Sequence, residues 1–331
     1  MITFFYNTRE YDPLPESADQ YGQWQSRIAT QGGLIGPACW IVQTCLLLQR
    51  QGVICRLTQD RPSEGIVFAH FDDMPATRTE RGTAYWVCVL ADRQNINPFT
   101  NYYLLQNPYQ SLRTRQPTSH VLHWQQPGII PRSANRQDIF TNVRFFGEIA
   151  SLAPEFTEPD FIGWCEHEGF DFQVVPRDHW HDYSNCDVVV GVRTFNSNWV
   201  HDKPASKLVN AWVAGVPVIL GQESAFRALG TPGKTYLEAT SIGDVQRHLV
   251  GLRDDPQLRQ SMVRAGSFHA SCASEEQIAC MWIDAIEKQI KPRAARWQRF
   301  GLLRLWHRAN ESLLQGLAWR YRLIKDNFVE P

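Results

Sequence analysis

Short apolar runs, separated by polar or helical stretches, set the architecture of this chain. Residues 2–6, 53–57, 65–69 and 85–90 are mostly apolar runs bounded by turn residues, which predicts buried strands of a parallel sheet. Residues 32–52 (GGLIGPACWIVQTCLLLQRQG) give a glycine loop, Pro37 at a helix start, an apolar helix and a glycine stop. Residues 7–30 break the rhythm. They form a polar connection with Tyr11, Tyr21 and Trp24, much longer than the usual four to six residues or so.

The rhythm starts again at residues 142–147 (NVRFFG), after a linker punctuated by Pro127, Gly128 and Pro131. A helix is predicted over 158–169, strands over 172–175 and 188–192, and largely helical segments over 242–252 and 256–290. Two such cycles predict an α/β protein of two doubly wound domains, 1–130 and 131–290. Residues 291–331 differ in character. From Lys288 onward ten Lys or Arg face three Asp or Glu, interleaved with Trp297, Trp306 and Trp319. Leu302, Trp306, Ala309, Leu313 and Leu317 make an apolar stripe that either packs back on the first domain or, over 293–325, rests on an anionic membrane surface.

Composition narrows the function. The 331 residues carry a formal net charge of −1, which gives no electrostatic argument for nucleic acid. Eight cysteines are scattered without a C-x-x-C pair, as expected of reduced thiols in a cytoplasmic protein and not of a zinc site. The N-terminus turns acidic too soon for a signal peptide, and no apolar run is long enough to span a bilayer.

Candidate chemistry lies where predicted strands end, because ligands of open parallel sheets bind outside the carboxyl ends of the strands. In the first half these ends carry His70, Asp72, Asp73 and Asp92, possible bases or sugar ligands or else solvated loop residues. His123 and Trp124 lie beside the linker. In the second half Arg193 ends a buried strand, placed to clamp a diphosphate or to pair with Asp187 or Glu223.

Residues 202–224 (DKPASKLVNAWVAGVPVILGQES) read as a short helix with Pro204 in its first turn, a glycine stop, a buried strand, and a turn carrying Glu223 and Ser224 at the mouth of another helix. Gly221 lets backbone approach a ligand, and Ser224 can cap a helix whose first amides attract an anion. This segment resembles the donor-binding segment of GT-B glycosyltransferases, the large nucleotide-sugar-dependent group 1 type. The glutamate pair common there, eight residues apart, is replaced by Asp202 and Asn210. Ser206-Lys207-Leu208 looks like a variant with a lysine at the donor diphosphate.

The resemblance implies two facing Rossmann-like domains moving a sugar from a nucleotide-diphosphate donor to a small-molecule, glycan or lipid-linked acceptor, without a metal or further cofactor. It implies donor contacts from the glycine loops at Gly33, Gly36 and Gly147, and from Arg193, Lys203, Ser206, Lys207, Glu223 and Ser224. Lys203 and Lys207, four apart, would share a helix face and join Arg193 on one diphosphate; Glu223 would hold a ribose or sugar diol. If configuration inverts, His70, Asp72, Asp92 and His123 are the candidate bases, and the aromatic connection 7–30 could cover the acceptor. Two other readings stay open: a scaffold on a decayed frame of this kind, which binds nucleotide weakly or not at all, or a nucleotide-sugar epimerase with the same kind of donor site, which needs no acceptor.

Overall fold

The computed structural model describes residues 1–9, 12–29, 36–196 and 200–299. The first sheet holds β1 (Ile2–Phe5), β2 (Cys55–Thr58), β3 (Ile66–His70), β4 (Tyr85–Val89), β5 (Tyr102–Leu105) and β6 (Thr118–His120). All pair in parallel, in the order β2-β1-β3-β4-β5-β6. Every residue of β1, β3, β4 and β5 is buried. A central strand covered on both faces has no polar side, which is why these segments are continuous apolar runs.

The second sheet holds β7 (Asn142–Phe146), β8 (Asp171–Val175), β9 (Val188–Gly191), β10 (Val218–Leu220) and β11 (Leu237–Glu238), again all parallel, in the order β11-β10-β9-β7-β8. Each sheet reverses direction beside its first strand, between β1 and β3 and between β7 and β9. Outside the carboxyl ends at such a reversal the flanking helices diverge and leave a crevice.

The first domain's helices are α1 (Tyr21–Ala29), α2 (Thr44–Arg50), which continues from a π-helical turn Ala38–Gln43, and the single turn α3 (Arg78–Arg81). α1 corrects the reading of 7–30 as an irregular cover over a ligand. Tyr21, Trp24 and Ile28 repeat at helical spacing and are all buried in the core; Tyr11 lies outside the described residues.

The second domain carries α4 (Pro159–Glu168), α5 (Ser206–Ala214), α6 (Ser224–Leu229), α7 (Ile242–Asp254) and α8 (Pro256–Ser271). α5 ends at Gly215, whose φ of +69° is the left-handed stop that glycine adopts without strain. The chain then returns to the first domain through α9 (Glu275–Asp284), a π-helical continuation Ala285–Ile290, and α10 (Lys291–Arg299). Trp282 packs its ring 6.4 Å from Phe4 and 6.2 Å from Phe68. Residues 275–290, grouped on sequence with the second domain, thus cover the first sheet.

Of the basic extension, the described part ends at residue 299, and there it packs: Trp297 is buried, donates from Nε1 to Thr83 O at 3.1 Å, and lies under the Arg81 guanidinium at 4.6 Å. The stripe from Leu302 to Leu317 lies outside the described residues. Among those described, no helix is long and apolar enough to cross a membrane.

Candidate active site

The carboxyl ends of the two sheets face each other across a cleft of about 350 Å³. Its second-domain wall presents Gly147, Arg193, Ser206, Lys207 and Asn210; its first-domain wall presents Gly36, His70, Asp92, Arg93 and His123. α5 points its N-terminus into this space. Ala205 at its N-cap offers no side-chain oxygen to the first amides, so their partial positive charge is left for a ligand.

Lys207 lies in a groove left by glycines that end β9 and follow β7. A Cβ on Gly191 would sit 2.9 Å from Lys207 Cδ and 2.8 Å from Leu220 Cδ2, and one on Gly147 would sit 3.2 Å from Lys207 Nζ. A side chain at either position would crowd Lys207 out of this path. The ammonium stands 5.1 Å from the centroid of the Phe145 ring, and no carboxylate pairs with it among the described residues. Burial, with help from the neighbouring Arg193 charge, lowers its pKa to about 7.

Beside it, Arg193 Nε stands 3.0 Å from Glu223 Oε1. The Glu223 carboxylate is 2% exposed and neither oxygen has a well-formed hydrogen bond. Burial raises its pKa against the pull of Arg193 and Lys207. Two half-buried cations and one buried carboxylate therefore share one wall of the cleft.

Charge on the opposite wall is paired. Asp72 grips Arg93 at 2.8 and 2.6 Å, Arg93 reaches Asp92 at 3.0 Å, and Asp92 Oδ2 takes Lys203 Nζ at 2.6 Å across the domain boundary. Burial pushes the Asp92 pKa up, but its bond to Lys203 and the charges of Lys203 and Arg93 outweigh it, so the group stays a carboxylate.

The histidines are neutral. His70 is almost fully buried, which lowers its pKa to about 4; its Nδ1 accepts from the Asp72 amide at 3.2 Å, so Nε2 carries the proton. His123 is also lowered by burial. Its Nδ1 lies 2.5 Å from the Trp124 carbonyl, which can only accept, so Nδ1 holds the proton and Nε2 keeps a lone pair. That nitrogen is 3.8 Å from Cys39 Sγ, whose thiol donates to Gln43 Oε1 and is pushed by burial up to about 12.

Residues 129–277, which include the whole second sheet, match the family model described as glycosyl transferase-like. The fold as a whole superposes on Anabaena HepE, solved in complex with UDP-glucose, with a TM-score of 0.51 at 12% identity over 87% of this chain and 99% of that one. The chain has the GT-B fold. AviGT4, a glycosyltransferase involved in avilamycin A biosynthesis, aligns with a TM-score of 0.49 at 13% identity over 86% of this chain and 96% of that one. Sucrose-phosphate synthase from Thermosynechococcus elongatus also gives 0.49, at 10% identity over 69% and 74%. No curated protein matches the chain in sequence.

Nine of the expected site residues line the cleft: Gly36, His70, Asp92, His123, Gly147, Arg193, Lys203, Ser206 and Lys207. Gly33 lies outside the described residues. Three others differ from expectation. Asp72 is off the cleft, tied to Arg93. Glu223 is buried against Arg193 and offers no open carboxylate to a diol. Ser224 caps nothing, because its buried hydroxyl accepts from Asn107 Nδ2 at 2.8 Å and joins the two domains.

Lys203 and Lys207 do not share a helix face. α5 begins only at Ser206, since the Lys203 carbonyl is taken by Asn107 Nδ2 at 3.2 Å. Nor do three free cations converge, because Lys203 is neutralised by Asp92 and Arg193 by Glu223. Sequence reasoning passed over Gly191, Arg93 and Gln126. Gly191 was signalled by a glycine two places before Arg193 at the end of a valine run. Gln126 had no signal: its amide donates to Asn210 Oδ1 at 3.1 Å, a contact that only the folded chain creates.

Proposed function

We propose that this enzyme transfers a sugar from a nucleotide-diphosphate donor, held on the second-domain wall, to an acceptor lying against the first-domain wall. The observation that carries the reading is Lys207, a lysine held in a glycine groove at the carboxyl ends of β7 and β9 with no carboxylate of its own. A half-buried ammonium with no carboxylate beside it is costly. An anion in the cleft would restore its charge balance.

As the bond from the anomeric carbon to the diphosphate breaks, negative charge grows on the leaving oxygen. Lys207, Arg193 and the N-terminus of α5 are fixed where that charge develops, so they favour the transition state over the bound donor. In this reading side chains carry the neutralisation and transfer survives chelation of divalent metal. If configuration inverts, the His123 Nε2 lone pair is the base, while His70, with its proton on Nε2, is a donor to a sugar hydroxyl. Asp92, paired with two cations, is too weak a base for that role.

The HepE complex with UDP-glucose makes uridine nucleotides the first probes. A thermal-shift screen with UDP, GDP, ADP, CMP and dTDP, with and without divalent metal, tests the reading. A nucleoside diphosphate at about a hundred times its Kd adds close to 2.7 kcal/mol. A metal-independent shift with one of them is the expected result; no shift with any would leave a scaffold that binds no donor.

A further inference from the structure

Side chains of the first domain hold the approach to α5 in three places. Gln94 Nε2 donates to Asp202 Oδ2 at 2.8 Å, Asp92 takes the Lys203 ammonium at 2.6 Å, and Asn107 Nδ2 reaches both the Lys203 carbonyl at 3.2 Å and Ser224 Oγ at 2.8 Å. Asp92 is held there by its own backbone. The Arg93 amide donates to Leu90 O at 3.1 Å, closing a tight turn at the end of β4, and Ala91 inside that turn has φ +50°, a conformation non-glycine residues avoid. Gln110 Nε2 fixes the turn from behind through Ala91 O at 2.7 Å.

The turn directs a carboxylate across the domain boundary onto a lysine that lines the same cleft as Lys207. Asp72 engages Arg93 through two bonds and Asp92 Oδ1 engages it through a third at 3.0 Å, which leaves Asp92 Oδ2 for Lys203. Resting on the donor reading above, we propose that Asp92 is a positioning residue for donor binding: it holds Lys203 on the first domain in the empty cleft, and the incoming diphosphate competes with it for the ammonium. Lys203 has three N–H donors and a flexible stem, so it can turn from the carboxylate toward a phosphate oxygen without backbone movement. Asp92 thereby sets donor affinity from the acceptor side of the cleft.

The test is a double-mutant cycle by calorimetry. UDP, GDP and ADP are titrated into the wild type, and the tightest binder is carried through Asp92→Asn, Lys203→Met and the double variant at low and moderate salt. Uridine, guanosine or adenosine serves as the uncharged control, and melting temperatures confirm folding. Asp92→Asn is expected to bind the diphosphate about two- to fivefold tighter, the range spanned by a half-exposed ion pair, with the larger gain at low salt. The gain should shrink in the Lys203→Met background, and nucleoside binding should not change.

Weaker or unchanged diphosphate binding by Asp92→Asn overturns the proposal. So does a gain that persists undiminished without Lys203, which would mean simple repulsion of the anion by Asp92. If the wild type binds none of the three diphosphates, the donor reading itself fails and the role of Asp92 falls with it.

Discussion

The two walls of the cleft come from the same kind of element, the carboxyl ends of a doubly wound parallel sheet, yet they hold charge in opposite ways. On the first domain the Asp72–Arg93–Asp92 chain is half-exposed and each charge has a partner, while His70 is buried, His123 half-buried, and both are neutral. On the second, Arg193 pairs with the buried carboxylate of Glu223, and no carboxylate pairs directly with Lys207 among the described residues. A wall that is complete in itself asks nothing of a ligand, whereas a wall one negative charge short is a place for an anion. The difference comes from burial: half-exposed ions are solvated and cheap to pair, and buried ones must be balanced from nearby.

Removing a carboxylate from each wall separates them most sharply. Glu223→Ala leaves two half-buried cations without their carboxylate and should lower stability by about 3 kcal/mol, the low end for breaking a buried pair. Asp72→Ala, on the exposed pair, should lose no more than about 1 kcal/mol. Urea denaturation reads both, and equal losses would dissolve the contrast.

The pH response is the next largest effect. Lys207 is lowered to about 7 in the fold from an ordinary 10.5. Between those values the unfolded chain holds a proton that the folded chain has released, so this group's contribution to stability rises as pH climbs from about 7 toward 10.5. A bound diphosphate favours the charged form, so binding takes up a proton above pH 7 and weakens there by at most about tenfold per unit. Calorimetry at pH 8 in two buffers of different ionisation enthalpy should register uptake approaching one proton, and Lys207→Arg should abolish it. Zero uptake by the wild type would remove Lys207 from the anion's surroundings.

The smallest effect belongs to the first wall. Ala91→Gly should stabilise the chain by about 0.5 kcal/mol, the roughly 1–2 of left-handed strain less the roughly 0.5–1 of glycine's added chain entropy. A loss of stability would mean that Ala91 is not strained.

Much of the frame was legible because parallel strands write themselves as unbroken apolar runs: residues 2–6, 65–69, 85–90 and 188–192 each fall on a buried strand. α1 was not, because Tyr21, Trp24 and Ile28 sit among glutamines, serine and arginine, and the polar neighbours outweighed the period. At the site, strand-end logic brought Gly147, Arg193, His70 and Asp92 to one cleft. The pairings across the domain boundary stayed hidden, because each needs a side chain from the other domain. Lys203 meets Asp92 and Ser224 meets Asn107 only once the domains face each other, whereas the sequence offers Arg193 a ligand to clamp or a pairing with Asp187 or Glu223, and the order of β9 and β10 selects Glu223. A sequence shows which charges stand at strand ends, and topology decides which of them cancel.

Whether Lys207 holds the diphosphate is the point on which the rest depends. Titration of UDP, or whichever nucleoside diphosphate the thermal screen selects, into the wild type and Lys207→Met at pH 6.5 asks it directly. The account predicts saturable binding by the wild type and a loss of about 1.5–3 kcal/mol in the variant, the usual worth of a hydrogen bond to a charged group. Equal affinity in two folded proteins would contradict it.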